Sequence, residues 1–476
     1  MRIIFILIIS IFFSYHSYAT HAAGMDISYE CISQGNTEDT YRVTIKFYRD
    51  CEGVPAPDDG SGILQWSWYY FDYIYVDPLT GNPSTPPIYL EYSSSSCNST
   101  NSIQLMPVGP PVNINPDCLS FCNGGNSFGI EQHTYEAVIT LSHCSDWVLT
   151  VCELARNNTI NTINNPGQQE LCVQATLNNI NFCNNSPTFS QYPTPFICAG
   201  NYYCYNNGAI EYDGDSLTYE LITPLNTNNG GTVNYIAPYS LVNPVGGGST
   251  FDPITGNLCV TPPNIITGIL AIKVSEYRNG ELIGSIIRDI QINTFSCTGT
   301  TPPELTGINS NNVVDISNIN TYTTTLFCPN GNNDINFDIN TINNNLPTNS
   351  EALVNMTWNA GINGASFVVT NNNSMNPIGT FNWTPTAADI ANSPYFFTVY
   401  LTNDACPVAG NFSFQYQIIL SESNIEVNST INNPSCNGLS NGSIDIASNG
   451  SYPPFLYSWS SGQNTQNINN ISSGTY

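Results

Sequence analysis

The 476-residue chain carries 35 acidic against 8 basic side chains, a formal charge of −27, although only 9% of its residues are charged. No basic stretch is present that could neutralise a phosphate backbone, which argues against nucleic-acid binding. The length predicts two to four domains. The acidic excess suits either a protein kept soluble outside the cell or a surface facing calcium or sugars.

The first 19 residues read as a targeting segment. Arg2 is followed by an apolar run over residues 3–13 and by small residues at Ser17-Tyr18-Ala19. The run is too short to span a bilayer, so it predicts a secretory signal peptide cleaved after Ala19, with His21-Ala22-Ala23 as a second choice. Losing Arg2 takes the formal charge from −27 to −28. No other stretch is long enough to cross a membrane as an apolar helix, so the chain is not expected to be an integral membrane protein.

All sixteen cysteines lie beyond this segment. An exported chain meets an oxidising compartment, so disulfides are expected. Cys118/Cys122 and Cys198/Cys204 are spaced closely enough to suggest zinc. A zinc knuckle needs two close pairs with His or Cys at set distances, and the chain has only four His. The spacing leaves the disulfide connectivity open.

Helical periodicity is nearly absent. Tyr41, Val43, Ile45 and Phe47 alternate with polar residues, as do Tyr135, Ala137, Ile139 and Leu141, and Asn, Gly, Pro, Ser and Thr fill the gaps. This pattern predicts an all-β chain of tandem Ig-like or cadherin-like β-sandwiches, disulfide-bonded. Joints are expected where Pro and Ser follow a Cys, at Cys183-Asn184-Asn185-Ser186-Pro187 and Cys297-Thr298-Gly299-Thr300, and again at Ser421-Glu422-Ser423-Asn424. The expected divisions are a signal peptide at 1–19 and sandwiches at 20–185, 186–298 and 301–421, followed by a small repeat at 424–476. The second and third sandwiches share an outline, with the stretch of residues 251–258 that precedes Cys259-Val260-Thr261-Pro262 in one placed like residues 379–386 in the other, which predicts a divergent internal repeat.

The strongest chemical motif is Glu211-Tyr212-Asp213-Gly214-Asp215. Calcium takes six to eight hard oxygens, and an Asp-x-Asp pair on a tight Gly turn aims two carboxylates at one point, with Glu211 available as a third. The predicted metal ligands are therefore Glu211, Asp213 and Asp215, with calcium as the cofactor. The competing reading is an ordinary Asp-Gly turn. The loop resembles the Asp-x-Asp loop of cadherin-like domains, in which case bound calcium would stiffen a joint between sandwiches.

The aromatic run Trp66-Ser67-Trp68-Tyr69-Tyr70-Phe71-Asp72-Tyr73 reads as a core strand, or alternatively as a stacking platform for sugars. His143-Cys144-Ser145-Asp146 does not make a catalytic triad, because neighbours on a strand point to opposite faces. Cys144 is expected to be disulfide-bonded instead. No catalytic residues and no enzyme activity are predicted.

The final unit runs through Cys436-Asn437-Gly438, Gly442-Ser443-Ile444, Pro453-Pro454, Tyr457, Trp459 and Gly474-Thr475-Tyr476. Short apolar alternations split by turn residues predict a small antiparallel unit. Its last strand starts at Thr475 without continuing, so a longer chain is expected. These residues resemble the SprB-type repeat of gliding-motility surface adhesins; the family's closing Cys is missing here, and the resemblance implies that Cys436 lacks its partner. The front of the chain, including Tyr48-Arg49-Asp50-Cys51, Cys144-Ser145-Asp146-Trp147 and Tyr277-Arg278-Asn279-Gly280, is similar to large secreted proteins of the same bacteria.

The resemblance implies export by type IX secretion machinery and display on the cell exterior. It also implies a non-enzymatic, adhesin-like role in attachment to surfaces, glycans or cells. The alternative is an accessory binding region of a secreted hydrolase whose catalytic domain lies beyond residue 476.

Overall fold

The computed structural model describes residues 22–51, 56–57, 63–67, 72–76, 83–84, 86–114, 129–193, 196–296, 304–306, 320–326, 333–342, 353–403, 411–422, 425–450 and 455–476. The signal peptide and the Cys118/Cys122 pair fall outside these residues. So do the side chains of the aromatic run, whose backbone contributes the paired strands Ile63–Ser67 and Asp72–Val76.

The described chain is all-β, interrupted by short 3-10 turns at Pro166–Gln168 and Ala387–Asn392. Alternation in the sequence becomes alternation in burial. On the Glu38–Asp50 strand, Tyr41, Val43, Ile45 and Phe47 are fully buried, while Arg42, Thr44 and Lys46 on the opposite face are half-buried.

One strand organises the first 296 residues. Glu281–Phe295 pairs along one edge with Thr267–Arg278 through a tight hairpin. Three separate segments tile its other edge. Ala175–Leu177 lies opposite residues 284–286, Gly24–Asp26 lies opposite residues 288–290, and Phe196–Cys198 runs parallel to residues 293–295. The result is a 13-stranded sheet joining strands from residues 22–177 to strands from residues 196–295. Strands of the two spans expected as sandwiches at 20–185 and 186–298 thus pair with one another in one sheet. The physical reason is that Glu281–Phe295 is buried on both faces over most of its length, so neither of its edges can be left open.

The internal repeat is visible in strand pairing. In residues 304–422, the sheet Glu304–Leu305, Ile335–Ile342, Ile378–Trp383, Ser366–Thr370 faces the sheet Asn320–Leu326, Asn411–Glu422, Tyr395–Asn403, Val354–Trp358. Here Asn320–Leu326 runs parallel to the last strand. In the preceding unit Tyr203–Asn206, Asn257–Val260 and Ser249–Phe251 form the first sheet, while Phe196–Cys198, Glu281–Phe295, Thr267–Arg278 and Ser216–Ile222 repeat the second, including the parallel pair. This two-sheet arrangement is Ig-type. The third sandwich is filled by aromatic rings, with Phe381 stacked on Phe397 at 4.7 Å and Phe397 on Tyr416 at 4.9 Å. It touches its neighbour through Tyr203 against Phe412 at 5.5 Å and through Ser413 Oγ, 3.2 Å from Asn257 Oδ1.

Residues 425–471 form a three-stranded meander, Ile425–Asn432, Gly442–Gly450 and Ile468–Ile471, which pairs with no other described strand. Disulfides join Cys31 to Cys183, Cys97 to Cys144, Cys152 to Cys172 and Cys204 to Cys259. Cys51 and Cys198 are also disulfide-bonded, and Cys436 is exposed and free. The Cys31–Cys183 bond spans 152 residues, and in the chain-entropy account a loop that long stabilises the fold by about 5 kcal/mol. No described helix is long and apolar enough to cross a membrane.

Candidate metal centre

The Glu211–Asp215 loop precedes the Ser216–Ile222 strand, and Gly214 makes its turn with φ of 86°, a conformation open to glycine at no steric cost. Glu211 folds back over the turn. Its Oε1 accepts the Asp213 N–H at 2.7 Å, and its Oε2 accepts the N–H groups of Gly214 and Asp215 at 2.5 and 2.7 Å. Asp213 accepts both the backbone and side-chain N–H groups of Asn185, at 2.9 and 2.8 Å. Asp215 is nearly buried and takes a two-point contact from Arg278, whose Nε lies 2.8 Å from Oδ1 and whose Nη2 reaches Oδ2. The three residues named from sequence are thus brought together.

Two further residues complete the cluster. Leu270, Ile272 and Val274 form the fully buried face of the Thr267–Arg278 strand, and at the same spacing the next position on that face is Glu276, itself fully buried. One of its oxygens accepts the Asn184 side-chain amide at 2.7 Å, and Oε1 has no hydrogen-bond partner. Gly284 sits opposite Glu276 in the hairpin register. A Cβ there would collide with the Tyr29 hydroxyl and lie 3.2 Å from Glu276 Oε2, so the missing side chain makes the space.

Burial, together with the charges of Glu211 and Asp215, pushes the Glu276 carboxyl up to about 8, against the opposing Asn184 hydrogen bond. Arg278 is raised above its ordinary value, chiefly by its hydrogen bonds to Asp215. Its guanidinium also donates to Asn184 Oδ1 at 2.9 Å and stands over the Phe182 ring at 4.7 Å.

The signal for Glu276 was present in the sequence as a carboxylate continuing an apolar stripe with period two. Arg278 follows on the same face two residues later. The cluster lies within the shared sheet, tying the 183–186 segment to the hairpin, and not between two separate sandwiches. A second group, Cys152, Glu170 and Cys172, offers no thiolates because its sulfurs are bonded to each other.

The His143–Asp146 run is dispersed. Cys144 is bonded to Cys97 and Asp146 accepts hydrogen bonds from Ser94 and Ser96. His143 Nε2 stands 3.3 Å from Asp39 Oδ1.

A family model for the SprB repeat matches residues 428–464, inside the unit expected at 424–476. No curated protein matches the sequence. Among solved structures the chain is similar to the N-terminal four Ig domains of Dscam1 isoform 6.44, with 10% identity, 88% of this chain and 89% of that chain covered, and a TM-score of 0.24. It is also similar to the titin domains Z1Z2 in complex with telethonin, at 9% identity, 51% and 99% coverage and a TM-score of 0.16. Rst D1-D2 matches at 10% identity, 49% and 99% coverage and a TM-score of 0.16. These TM-scores are low, and the Ig-type assignment stands on the strand pairing alone. The chain is an all-β, disulfide-linked protein that carries an SprB repeat behind Ig-type sheets.

Proposed function

We propose that this protein is a non-enzymatic, adhesin-like protein of the outer surface of gliding bacteria, exported by type IX secretion machinery, that attaches cells to surfaces, glycans or other cells. The SprB repeat at residues 428–464 is the observation that carries this reading. The cross-linked sheets support it, because disulfides limit how far residues 31–259 extend when pulled. Weak contacts gain strength when several modules share one stalk, through effective concentration.

The test has two parts. Antibody against residues 22–296 is applied to intact cells, and beads coated with purified protein are scored for attachment to glass, glycan arrays and cells. Surface labelling and bead attachment are expected, with attachment reduced when residues 425–476 are removed. Labelling only after cell lysis, or beads that attach no better than albumin-coated controls, would refute the reading.

A further inference from the structure

We propose that Glu276 completes a calcium site with Glu211, Asp213 and Asp215. Four carboxylates meet here, with ligand oxygens all within 4.8 Å of one another. Oxygens on opposite sides of one calcium ion stand roughly 4.6–5.2 Å apart, because each Ca–O distance is about 2.3–2.6 Å. The cluster therefore has the breadth of one coordination sphere.

The charges do not balance internally. Arg278 is the one cation in salt-bridge contact with the group among the described residues, and it engages Asp215 closely and Asp213 at 3.5 Å. One guanidinium faces four carboxylates. Glu276 is the decisive member. It is fully buried at the end of an apolar stripe, has one oxygen on Asn184, and has a second oxygen with no donor. A buried carboxyl oxygen without a partner is disfavoured unless a proton or a cation meets it.

The donors are all hard carboxylate oxygens, which suits calcium. Magnesium demands near-ideal octahedral geometry and keeps much of its water. Such an ion would join three segments that the sequence keeps apart: the 211–215 turn, the end of the Thr267–Arg278 strand and, through Asn184 and Asn185, the segment beside the N-terminal strand. It would act as a cross-link inside the shared sheet.

The test uses the full chain, stripped with chelator, and its Glu276→Gln variant. Melting is followed with calcium and with magnesium, and tyrosine-sensitised terbium luminescence is titrated separately. The expected result is a melting temperature several degrees higher in millimolar calcium, little response to magnesium, and terbium luminescence that calcium displaces. Glu276→Gln is expected to melt no lower than the parent without calcium and to bind terbium at least tenfold more weakly. Should that variant fail to fold, Asp213→Asn, at an exposed loop position, is expected to show the same tenfold loss. Absence of any calcium response or terbium signal in the parent overturns the proposal. A response kept within twofold in the folded variant also overturns it, since the ion would then sit elsewhere.

Discussion

Asp26 and Arg288, 262 positions apart in the chain, form a fully buried ion pair across adjacent strands of the large sheet, with Arg288 Nε 2.6 Å from Asp26 Oδ1. The guanidinium also lies 3.9 Å over the Phe189 ring and donates to the Gln191 carbonyl at 2.7 Å. The next residue, Asp289, points to the opposite face and holds Arg156 with two hydrogen bonds of 2.8 and 2.6 Å. Successive residues of one strand thus pin both faces of the sheet to segments distant in sequence.

Asp26→Asn should destabilise the protein by about 3–5 kcal/mol, because the change leaves Arg288 buried without its counter-charge. Urea denaturation followed by circular dichroism measures this. A loss under about 1 kcal/mol, the worth of an exposed pair, would show that the contact is not buried in solution.

A fragment of residues 186–296 should not fold alone, because it lacks the two N-terminal segments that cover one edge of Glu281–Phe295 and the partners of Arg288 and Asp289. A fragment of residues 304–422 contains both of its own sheets and should unfold cooperatively. Comparing the two by circular dichroism and amide exchange checks this. A cooperative, exchange-protected 186–296 fragment would contradict the shared-sheet account.

Glu153 is raised to about 8 by burial and then by the neighbouring charge of Glu170. The folded chain therefore keeps this proton over a pH range in which the unfolded chain has released it. Its contribution to stability is fully present below about pH 4.5 and is lost as pH rises toward 8. Glu153→Gln should melt several degrees above the parent at pH 8 and converge with it near pH 4.5. Parallel melting curves at both pH values would remove Glu153 as the cause.

Phe381→Ala should cost about 3–5 kcal/mol, the range for deleting a buried ring from a packed core. Phe381 is fully buried and stacks on Phe337 at 5.1 Å as well as on Phe397. Differential scanning calorimetry should show the transition of the third sandwich moving while that of the large sheet stays in place.

Strand alternation was legible in the sequence because it reports burial residue by residue, as at Tyr41, Val43, Ile45 and Phe47. The shared sheet was not, because strand pairing across more than 250 positions leaves no local mark. Adjacent Ile286 and Ile287 were the available hint, since neighbouring apolar residues on a strand require burial on both faces. The turn from Glu211 to Asp215 could be read from its Gly and carboxylates. Glu276 was missed because the apolar alternation drew attention to the residues it shares a face with and away from the one that breaks the rule. The Pro- and Ser-rich run at 183–187 looked like a linker, yet Asn184 is buried and Ser186 Oγ accepts the Tyr29 backbone N–H at 2.8 Å.

In the third sandwich, Asn320–Leu326 and Asn411–Glu422 run side by side in the same direction, from Asn320 opposite Tyr416 to Leu326 opposite Glu422. Tension applied along the backbone from either side of this module drags those two ribbons past each other lengthwise. Their hydrogen bonds must then break together and cannot peel one by one, so the module resists a lengthwise tug as a single unit.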